Sequence, residues 1–393
     1  MDWRGKRGWI DEESEDGLIM KNGINSGVNS GVNKDRIDGL CGQIRAAGLD
    51  GLLVCPSEEL LFLTGFTPMM CERFQGLFLT AGGDYFYFCN LIYLGEITHA
   101  YGGSMRIYSY PDGESMTEAV APVLKEYGLS GGKIGVNSSA QAFNIVDIAE
   151  ACGIEFVNAL PVLEEARIIK TPSEMALLRK AAAIADGMFA EALRFIRPGV
   201  TEAEIRKFLL NGMAAAGGEK CWAIVATGPN ASYPHYHGDS RVVLDKDVVL
   251  LDFGCAVGGL FSDMSRTLFV GGVSEKERKI YDIVLEANIA GEKAAVDGAF
   301  IPDVDAAARD IISLAGYGEA FFNRLGHGIG YMIHEGPDIK KNNRRALEPG
   351  MVFSIEPGIY LEGEVGMRIE DIVAVTAGGN EILNKAPKEI III

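Results

Sequence analysis

The sequence predicts an α/β protein built from two folded domains, the second of which repeats one arrangement of helices and strands. Short apolar runs alternate with helix-like segments over residues 34–160. Downstream of them, three helix-capping sequences and two acidic hairpins follow in a regular order. At 393 residues, 48% hydrophobic and 23% charged, the chain has the composition of an ordinary globular protein and enough length for both domains.

Charge and cysteine content limit the classes of function. The formal net charge of −18 disfavours nucleic acid and anionic membrane surfaces as partners, because both are bound through basic patches. The seven cysteines are scattered and never spaced as CxxC, which argues against a disulfide framework and a zinc–thiolate site. The cysteine usage therefore fits a reducing cytoplasm. Because the N-terminus has no apolar core of signal-peptide length and no run approaches the roughly 18 apolar residues of a membrane span, we expect neither export nor insertion.

Three segments are predicted along the chain. Residues 1–33 form a flexible N-terminal arm, because the repeat of Asn, Ser and Gly over residues 22–33 cannot bury much surface. Residues 34–160 form a compact α/β domain in which no catalytic set is visible, and its only histidine, His99, fits a surface or core position. Residues 161–393 form the domain that carries the candidate site.

Helix starts in the second domain are marked by capping boxes, in which a hydroxyl residue is followed three positions later by Glu. The three pairs are Thr171 with Glu174, Thr201 with Glu204, and Ser274 with Glu277. After the first pair, Pro172 occupies a first-turn position where proline is tolerated, and apolar residues recur at helical spacing from Leu177 onward. An amphipathic helix is therefore predicted after each box.

The same order of features occurs twice in the second domain: helices, a histidine and an acidic hairpin. Corresponding residues keep a similar separation, which is 99 for His235 and His334, 104 for Asp252 and Glu356, and 107 for Asp263 and Glu370. This pattern favours a duplicated half-domain. The alternative is that two αβ units merely resemble each other, since residue identity between the halves is low.

Each acidic hairpin is predicted to set two carboxylates face to face. In the first hairpin, a turn centred on residues 257 and 258 sets Asp252 opposite Asp263. In the second, the corresponding loop sets Glu356 opposite Glu370. Opposed side chains on neighbouring strands lie about 5 Å apart, and like charges there are destabilising, so a positive group should lie between them.

The four carboxylates together favour a metal site. Any one of them alone would more often be a solvated strand residue, and two would suffice for glycosidase-type acid–base chemistry. Asp252 and Glu356, however, end apolar runs, so each needs a cation or a proton at the end of a buried strand. Four carboxylates with His327, between Gly326 and Gly328, indicate two bridged divalent ions. This oxygen-dominated set suits Mn²⁺, Co²⁺ or Fe²⁺, and Zn²⁺ is compatible with it.

Other residues are candidates for the chemistry around the ions. His334 lies seven residues after His327, a separation that does not decide whether both histidines bind metal; a role beside the ligands or in acid–base chemistry is favoured. His235 could converge from the strand before the first hairpin, with His237 as its competitor, although a lone histidine is usually structural. Arg368 precedes the last of the four carboxylates by two residues, on the same strand face, where it could hold that carboxylate; the alternative is a solvated strand arginine.

Taken in this order, the motifs resemble those of the pita-bread metallopeptidases, and within them the aminopeptidase P and prolidase branch. The resemblance covers about residue 34 to the C-terminus. The motifs that carry it are DFG from Asp252, DMSRT from Asp263, GHGIG with HEGP, EPGIY and MRIED. It implies a creatinase-like N-terminal α/β domain, then a duplicated pita-bread catalytic domain with a curved, mainly antiparallel sheet. It also implies a homodimer.

Carried onto this sequence residue by residue, the resemblance implies two divalent metal ions, with Mn²⁺ preferred, and five ligands. The ligands are Asp252, Asp263, His327, Glu356 and Glu370, with Asp263 and Glu370 bridging. His235 and His334 correspond to active-site histidines that bind substrate and stabilise a tetrahedral intermediate. A water shared by the ions would attack an Xaa-Pro bond, and Glu356 would accept its proton. The substrate is then a peptide or dipeptide with proline after the scissile bond.

Two other functions share this fold. The first is a creatinase-like amidinohydrolase, which works without metal and would be recognised by the loss of metal ligands from the sequence. The second is a non-catalytic binding module that retains the site by descent. The sequence does not decide between an Xaa-Pro aminopeptidase and an Xaa-Pro dipeptidase. Lys246-Asp247 and Cys221-Trp222 stand where the family commonly has Gly-Asp and Ser-Phe. Because no proposed ligand is changed, these departures bear on specificity.

Overall fold

The computed structural model describes residues 32–393, which form an α/β protein, as the sequence predicts. The arm predicted over residues 1–33 lies outside the described residues except for its last two. Val32 packs partly buried against the hydrophobic core, and the side chain of Asn33 caps the first helix by accepting the N–H of Arg36. These two residues are part of the folded N-terminal region.

Six helices and six strands make up the N-terminal region of the described chain. The helices are α1 (Lys34–Ala46), α2 (Glu58–Thr64), α3 (Leu94–Tyr101), α4 (Met116–Glu126), α5 (Ala142–Cys152) and α6 (Leu160–Arg167). The strands are β1 (Gly51–Val54), β2 (Gly76–Thr80), β3 (Tyr85–Asn90), β4 (Arg106–Tyr110), β5 (Lys133–Val136) and β6 (Glu155–Asn158). They form one sheet in the order β4-β3-β2-β1-β5-β6, parallel at both edges and antiparallel between β1, β2 and β3. Helices cover both faces of its centre, so β1 is buried throughout.

Four helices and eleven strands follow in the C-terminal region. The helices are α7 (Pro172–Phe195), α8 (Glu202–Ala215), α9 (Glu275–Ala294) and α10 (Ile301–Leu314). The strands are β7 (Glu219–Thr227), β8 (Val248–Val257), β9 (Leu260–Phe261), β10 (Met264–Phe269), β11 (Gly326–Gly328), β12 (Glu335–Ile339), β13 (Val352–Ile355), β14 (Gly358–Leu361), β15 (Val365–Arg368), β16 (Asp371–Thr376) and β17 (Gly379–Ile382). All three predicted capping boxes are confirmed, since α7, α8 and α9 each begin with both reciprocal hydrogen bonds.

The strands of the C-terminal region pair antiparallel in three sheets. Their orders are β10-β8-β7 with β9 on β8, β12-β11-β13-β16-β17, and β14-β15. Helices α7 and α8 precede the first sheet, and α9 and α10 precede the second, so the two halves share one order of elements. The sequence predicts this repeated order, because corresponding histidines and acidic residues of the two halves are separated by similar numbers of residues.

Side chains join the two acidic hairpins, β8–β10 and β13–β16. The hydroxyl of Thr267 on β10 donates to the carbonyl of Arg368 at 3.0 Å and accepts its N–H at 3.1 Å. The buried guanidinium of Arg266 donates to the carbonyl of Glu370 and the carboxylate of Asp371. The hairpins therefore lie side by side with their acidic residues toward one region.

Two expectations from composition can be compared with the fold. Among residues 32–393, no helix is both long and apolar enough to cross a membrane. All seven cysteines are free thiols, as their scattered positions predict.

Candidate metal centre

The first hairpin differs in register from the prediction. Asp252 on β8 pairs with Ser265 on β10, so the predicted pairing of Asp252 with Asp263 is wrong. The turn is formed by Gly258 and Gly259, whose φ angles are +57° and +80°, because a tight hairpin turn requires positive φ at both central positions. Asp263 lies just before β10, and its carboxyl group is nevertheless close enough to that of Asp252 for the two to affect each other's pKa.

The second hairpin has the predicted register. Ile355 pairs with Asp371 at the end of the β13–β16 ladder, and Gly358 pairs with Arg368 at the start of the β14–β15 ladder. Glu356 and Glu370 lie at the break between these ladders, at the pair position that the sequence predicts. Leaving the regular ladder frees both side chains to point toward one site.

His327 lies on the short strand β11 against the second hairpin. A Cβ atom at Gly326 would lie 1.8 Å from the carbonyl oxygen of Ser354, and one at Gly328 would lie 2.1 Å from that of Gly336. Only glycine fits at these distances, as the sequence indicates. The N–H of His327 donates to the Ser354 hydroxyl at 3.1 Å, which fixes the backbone that carries the imidazole.

The predicted ligands lie close together and are shielded from solvent. The Nε2 atom of His327 lies 3.2 Å from Oε1 of Glu356 and 3.7 Å from Oδ2 of Asp263. Asp263, His327 and Glu370 each offer a donor atom within 4.8 Å of the others. Only 2–6% of Asp252, Asp263, His327 and Glu370 is exposed, so this cluster is inside the protein.

Arg368 connects the cluster. Its Nη2 donates to Oδ2 of Asp252 at 2.5 Å, its Nε donates to the hydroxyl of Ser265 at 2.7 Å, and its Nη1 donates to the hydroxyl of Tyr360 at 2.7 Å. The Ser265 hydroxyl in turn donates to Oε2 of Glu370 at 2.6 Å. The solvated arginine that the sequence left open is therefore wrong, because Arg368 is buried against the carboxylates.

The electrostatics of the cluster are those of excess negative charge. Burial, then the charges of neighbouring carboxylates, raises the pKa of Asp263 and of Glu370 well above the usual range. Burial also raises the pKa of Asp252, although Arg368 opposes this shift. Burial acts in the same direction on Glu356, but the hydrogen bond and charge of His327 bring its pKa below the usual value.

Three oxygens of the cluster have no hydrogen-bond partner among the described residues. They are Oδ1 of Asp252, Oδ1 of Asp263 and Oε1 of Glu370. Buried carboxylate oxygens without donors are costly unless they coordinate a cation. Four carboxylates facing one guanidinium and one imidazole therefore fit divalent metal ions, with oxygen as the main donor.

Two further histidines lie beside the cluster. The rings of His334 and His327 meet edge to face, with centroids 4.2 Å apart. Partial desolvation of the imidazole, which packs against His327 on one side and is exposed elsewhere, then the charges of His327 and Arg324, lowers the pKa of His334 to about 4, so its ring is neutral at pH 7. His235 and His237 are both exposed, and His235 is near enough to His334 for its charge to lower this pKa.

Sequence reasoning missed several residues that hold the ligands. Ser354 donates to Oε1 of Glu356 at 3.1 Å, and Ser265 contacts Glu370. Asn288 on α9 donates to the carbonyls of Ile355 and Ile369, which immediately precede Glu356 and Glu370. A signal for Ser265 was present, since the polar run Ser-Arg-Thr lies inside an otherwise apolar strand. No pattern in the sequence singles out Asn288.

Comparison with known proteins agrees with this site. Residues 176–377 match metallopeptidase family M24, and residues 36–169 match the creatinase/prolidase N-terminal domain. The probable dipeptidase PepE of Mycobacterium tuberculosis is 35% identical over 351 residues, which cover 88% of this chain and 93% of that protein. The Xaa-Pro dipeptidase of Lactobacillus helveticus is 35% identical over 346 residues, covering 84% of this chain and 92% of that protein.

A solved structure is similar over nearly the whole chain. The Xaa-Pro dipeptidase from Bacillus anthracis is 34% identical, with a TM-score of 0.82, and covers 91% of this chain and 99% of its own. Fold, site and these matches together define a metallopeptidase. The chain belongs to metallopeptidase family M24, with a creatinase/prolidase N-terminal domain. The resemblance seen in its motifs is thus confirmed.

Proposed function

We propose that the protein is a dinuclear metal-dependent Xaa-Pro dipeptidase. The observation that carries this proposal is the buried cluster in which three carboxylate oxygens have no partner among the described residues. Such a cluster is stable only when cations or protons neutralise it. Two divalent ions do so and also supply hydrolytic chemistry.

Five residues would hold the ions. They are Asp252, Asp263, His327, Glu356 and Glu370, with Asp263 and Glu370 shared between the ions. This assignment follows the resemblance of the motifs, and the donor atoms of Asp263 and Glu370 lie within 4.8 Å of each other and of His327. When bound, the ions would polarise the scissile carbonyl and lower the pKa of a water between them. Mn²⁺ is our first choice of metal, because the ligand atoms are mainly oxygen.

The protein's own side chains then have distinct tasks. Glu356, oriented by Ser354 and His327, accepts the proton of the attacking water. His334 and His235 donate to the oxygen on which negative charge develops, or orient the peptide. Arg368 holds Asp252 and, through Ser265, Glu370 in fixed positions, so that the ligands need not rearrange.

The substrate class is proposed from the relatives. The proteins from Lactobacillus helveticus and Bacillus anthracis are both named Xaa-Pro dipeptidase, and the Mycobacterium tuberculosis relative is named a probable dipeptidase. These names favour a dipeptidase over the aminopeptidase that the sequence left open. The peptide nitrogen of proline has no N–H, so the site cannot depend on a hydrogen bond from that nitrogen.

Hydrolysis assays test the proposal directly. Purified protein loaded with Mn²⁺ or Co²⁺ is expected to hydrolyse Ala-Pro much faster than Ala-Pro-Ala, and a chelator should abolish both activities. The chelator should also lower the melting temperature. A metal ion that binds only the folded protein, present at a concentration a hundred times its Kd, stabilises the fold by about 2.7 kcal/mol. Activity that survives chelation would favour the metal-independent amidinohydrolase class, and bound metal without hydrolysis would favour a binding module.

The role of His235 gives a prediction with a built-in control. His235→Ala should leave two ions bound per chain and lower kcat on Ala-Pro about 10²–10³-fold, as for loss of one donor to a developing oxyanion. His237→Ala, a change of the same kind two residues away, should leave kcat within about twofold of wild type. Metal content and kcat are measured for both variants. Loss of metal in His235→Ala would exclude the proposed role.

Asn288 is expected to matter because it holds the backbone of two ligands. Asn288→Ala removes the donor to the carbonyls of Ile355 and Ile369, which should weaken Mn²⁺ binding about 10–100-fold in calorimetric titrations. Asn380→Ala is the control, since Asn380 also donates to two backbone carbonyls, those of Glu292 and Ala295, away from the ligands. Equal affinities in the two variants would contradict the assignment.

The cytoplasmic location and the homodimer stay predictions. The free thiols are consistent with a reducing compartment.

A further inference from the structure

The segment that carries His334, residues 329–334, connects β11 to β12 and is called here the histidine loop. His334 itself is exposed, although its ring contacts that of His327. An exposed side chain depends on its backbone for its position. The contacts that fix this backbone therefore decide where the imidazole lies relative to the candidate metal centre.

The first anchor of the histidine loop is Glu335, the residue after His334. Its buried carboxylate accepts the N–H of Met332 at 3.2 Å, which closes the loop on itself. The same carboxylate lies 2.7 Å from Nζ of Lys170 and 3.3 Å from Nε of Arg167. Arg167 is the last residue of α6, and Lys170 lies in the segment between α6 and α7.

Arg167 extends this anchor to the N-terminal region. Its Nη1 lies 3.2 Å from Oε1 of Glu59 on α2, and its Nη2 donates to the sulfur of Met332 in the histidine loop. The contacts of Arg167 with both carboxylates are ion pairs without well-aligned hydrogen bonds. Glu59, Arg167, Lys170 and Glu335, here called the Glu59 cluster, are at most 2% exposed at their side chains. Two positive and two negative charges balance there, so removal of one leaves a buried charge uncompensated.

A second anchor is independent of these charges. The hydroxyl of Tyr331 accepts from Nη1 of Arg36 on α1 at 3.2 Å, and its ring packs edge-on against Phe62 of α2 at 5.3 Å. Arg36 also donates to Glu174 at the start of α7, at 2.6 Å. Residues of α1 and α2 thus contact the histidine loop directly at Tyr331, before His334. Glu59 of α2 reaches Glu335, the residue after His334, through Arg167.

We propose that the N-terminal region positions His334 for the reaction, with Glu59 as a positioning residue that acts through Arg167 and Glu335. The proposal rests on the proposed function, because the position of His334 affects turnover only if this histidine contacts the substrate. It assigns the N-terminal region a part in catalysis without giving it any group that touches the reacting atoms. The metal ligands lie outside the Glu59 cluster and should be unaffected by changes there.

The test variant is Glu59→Gln, which keeps size and removes one charge. Its matched control is Glu58→Gln on the same helix, where the carboxylate contacts only the exposed end of Lys220 among the described residues. Glu59→Gln is expected to lower kcat on Ala-Pro about tenfold or more, since small displacements of an active group have effects of this size, while two ions remain bound. Glu58→Gln should behave as wild type.

A double-mutant cycle separates positioning from general loss of stability. In a His334→Ala background, Glu59→Gln should cause no further loss of kcat, because both changes act on one group. In spectra of protein with ¹⁵N-labelled histidine, the His334 signal, identified by its absence in His334→Ala, should move in Glu59→Gln. The signal of His327 should shift with it because the two rings are in contact, whereas His99 on α3 should keep its signal. Additive losses of kcat, or an unmoved His334 signal, would overturn the proposal.

Two safeguards keep the experiment decisive. If Glu59→Gln does not fold, Tyr331→Phe removes only the hydroxyl that accepts from Arg36, and it is judged by the same cycle and spectra. If wild-type protein hydrolyses none of the peptides, the proposed function fails, whereas the histidine spectra still show whether α2 controls the position of the loop.

Discussion

Asp263→Asn is expected to abolish binding of two ions and peptide hydrolysis together. The substitution removes a shared ligand from the centre of the cluster, and a metal ion contributes several kcal/mol of transition-state stabilisation. Activity on Ala-Pro should therefore fall by about 10³-fold or more. Metal stoichiometry by elemental analysis and kcat/KM on the same preparation measure the two effects.

The same variant should change stability in opposite directions with and without metal. Burial and the neighbouring carboxylates raise the pKa of Asp263, so its ionised form destabilises the metal-free fold. In the presence of a chelator, the melting temperature of Asp263→Asn should be higher than that of wild type. With saturating Mn²⁺, it should be lower than that of wild type. Asp245→Asn, the same change at an exposed position, should alter neither temperature. A metal-free Asp263→Asn protein that melts below wild type would argue against the charge-repulsion account.

Gly326→Ala should destabilise the protein more than any single change of a surface residue. The added methyl group would lie 1.8 Å from the carbonyl oxygen of Ser354, so β11 and β13 must separate. Overpacking against backbone costs about 3 kcal/mol or more, and the separation would move His327 away from Glu356. Urea unfolding gives the free energy, and metal titration gives the accompanying loss of affinity.

The control for this change is Gly187→Ala on α7. Nothing lies within 4 Å of the Cβ position there, and the residue is exposed on a helix. Replacing helical glycine by alanine should stabilise the protein by up to about 1 kcal/mol. Similar unfolding free energies for Gly326→Ala and Gly187→Ala would show that β11 tolerates separation from β13.

The sequence was informative where one physical rule decides the structure. Capping boxes predict helix starts because hydroxyl and carboxylate side chains satisfy free N–H groups locally, and all three pairs were confirmed. The second hairpin has the predicted pairing of residues because its register follows from the centre of its loop. The buried carboxylates followed from acidic residues at the ends of apolar runs.

Other features depend on information that a linear pattern does not contain. The first hairpin turns at Gly258 and Gly259, because the turn needs positive φ at both central positions, and a centre one residue earlier would have placed Val257 there. Asn288 reaches the ligand strands from a helix more than sixty residues before them, as its contacts with Ile355 and Ile369 show. Such a contact is set by how the helix packs. For the same reason, the Glu59 cluster could not be predicted from four charges spread along the chain.

The central claim is that the buried carboxylates exist to hold two cations. A crystal grown with Mn²⁺ and measured at the manganese absorption edge tests it most directly. We predict two anomalous peaks roughly 3.5–4 Å apart between the hairpins, with Asp263 and Glu370 contacting both. A map without peaks there, in crystals whose Asp252 and Glu370 side chains point away from each other, would contradict the claim.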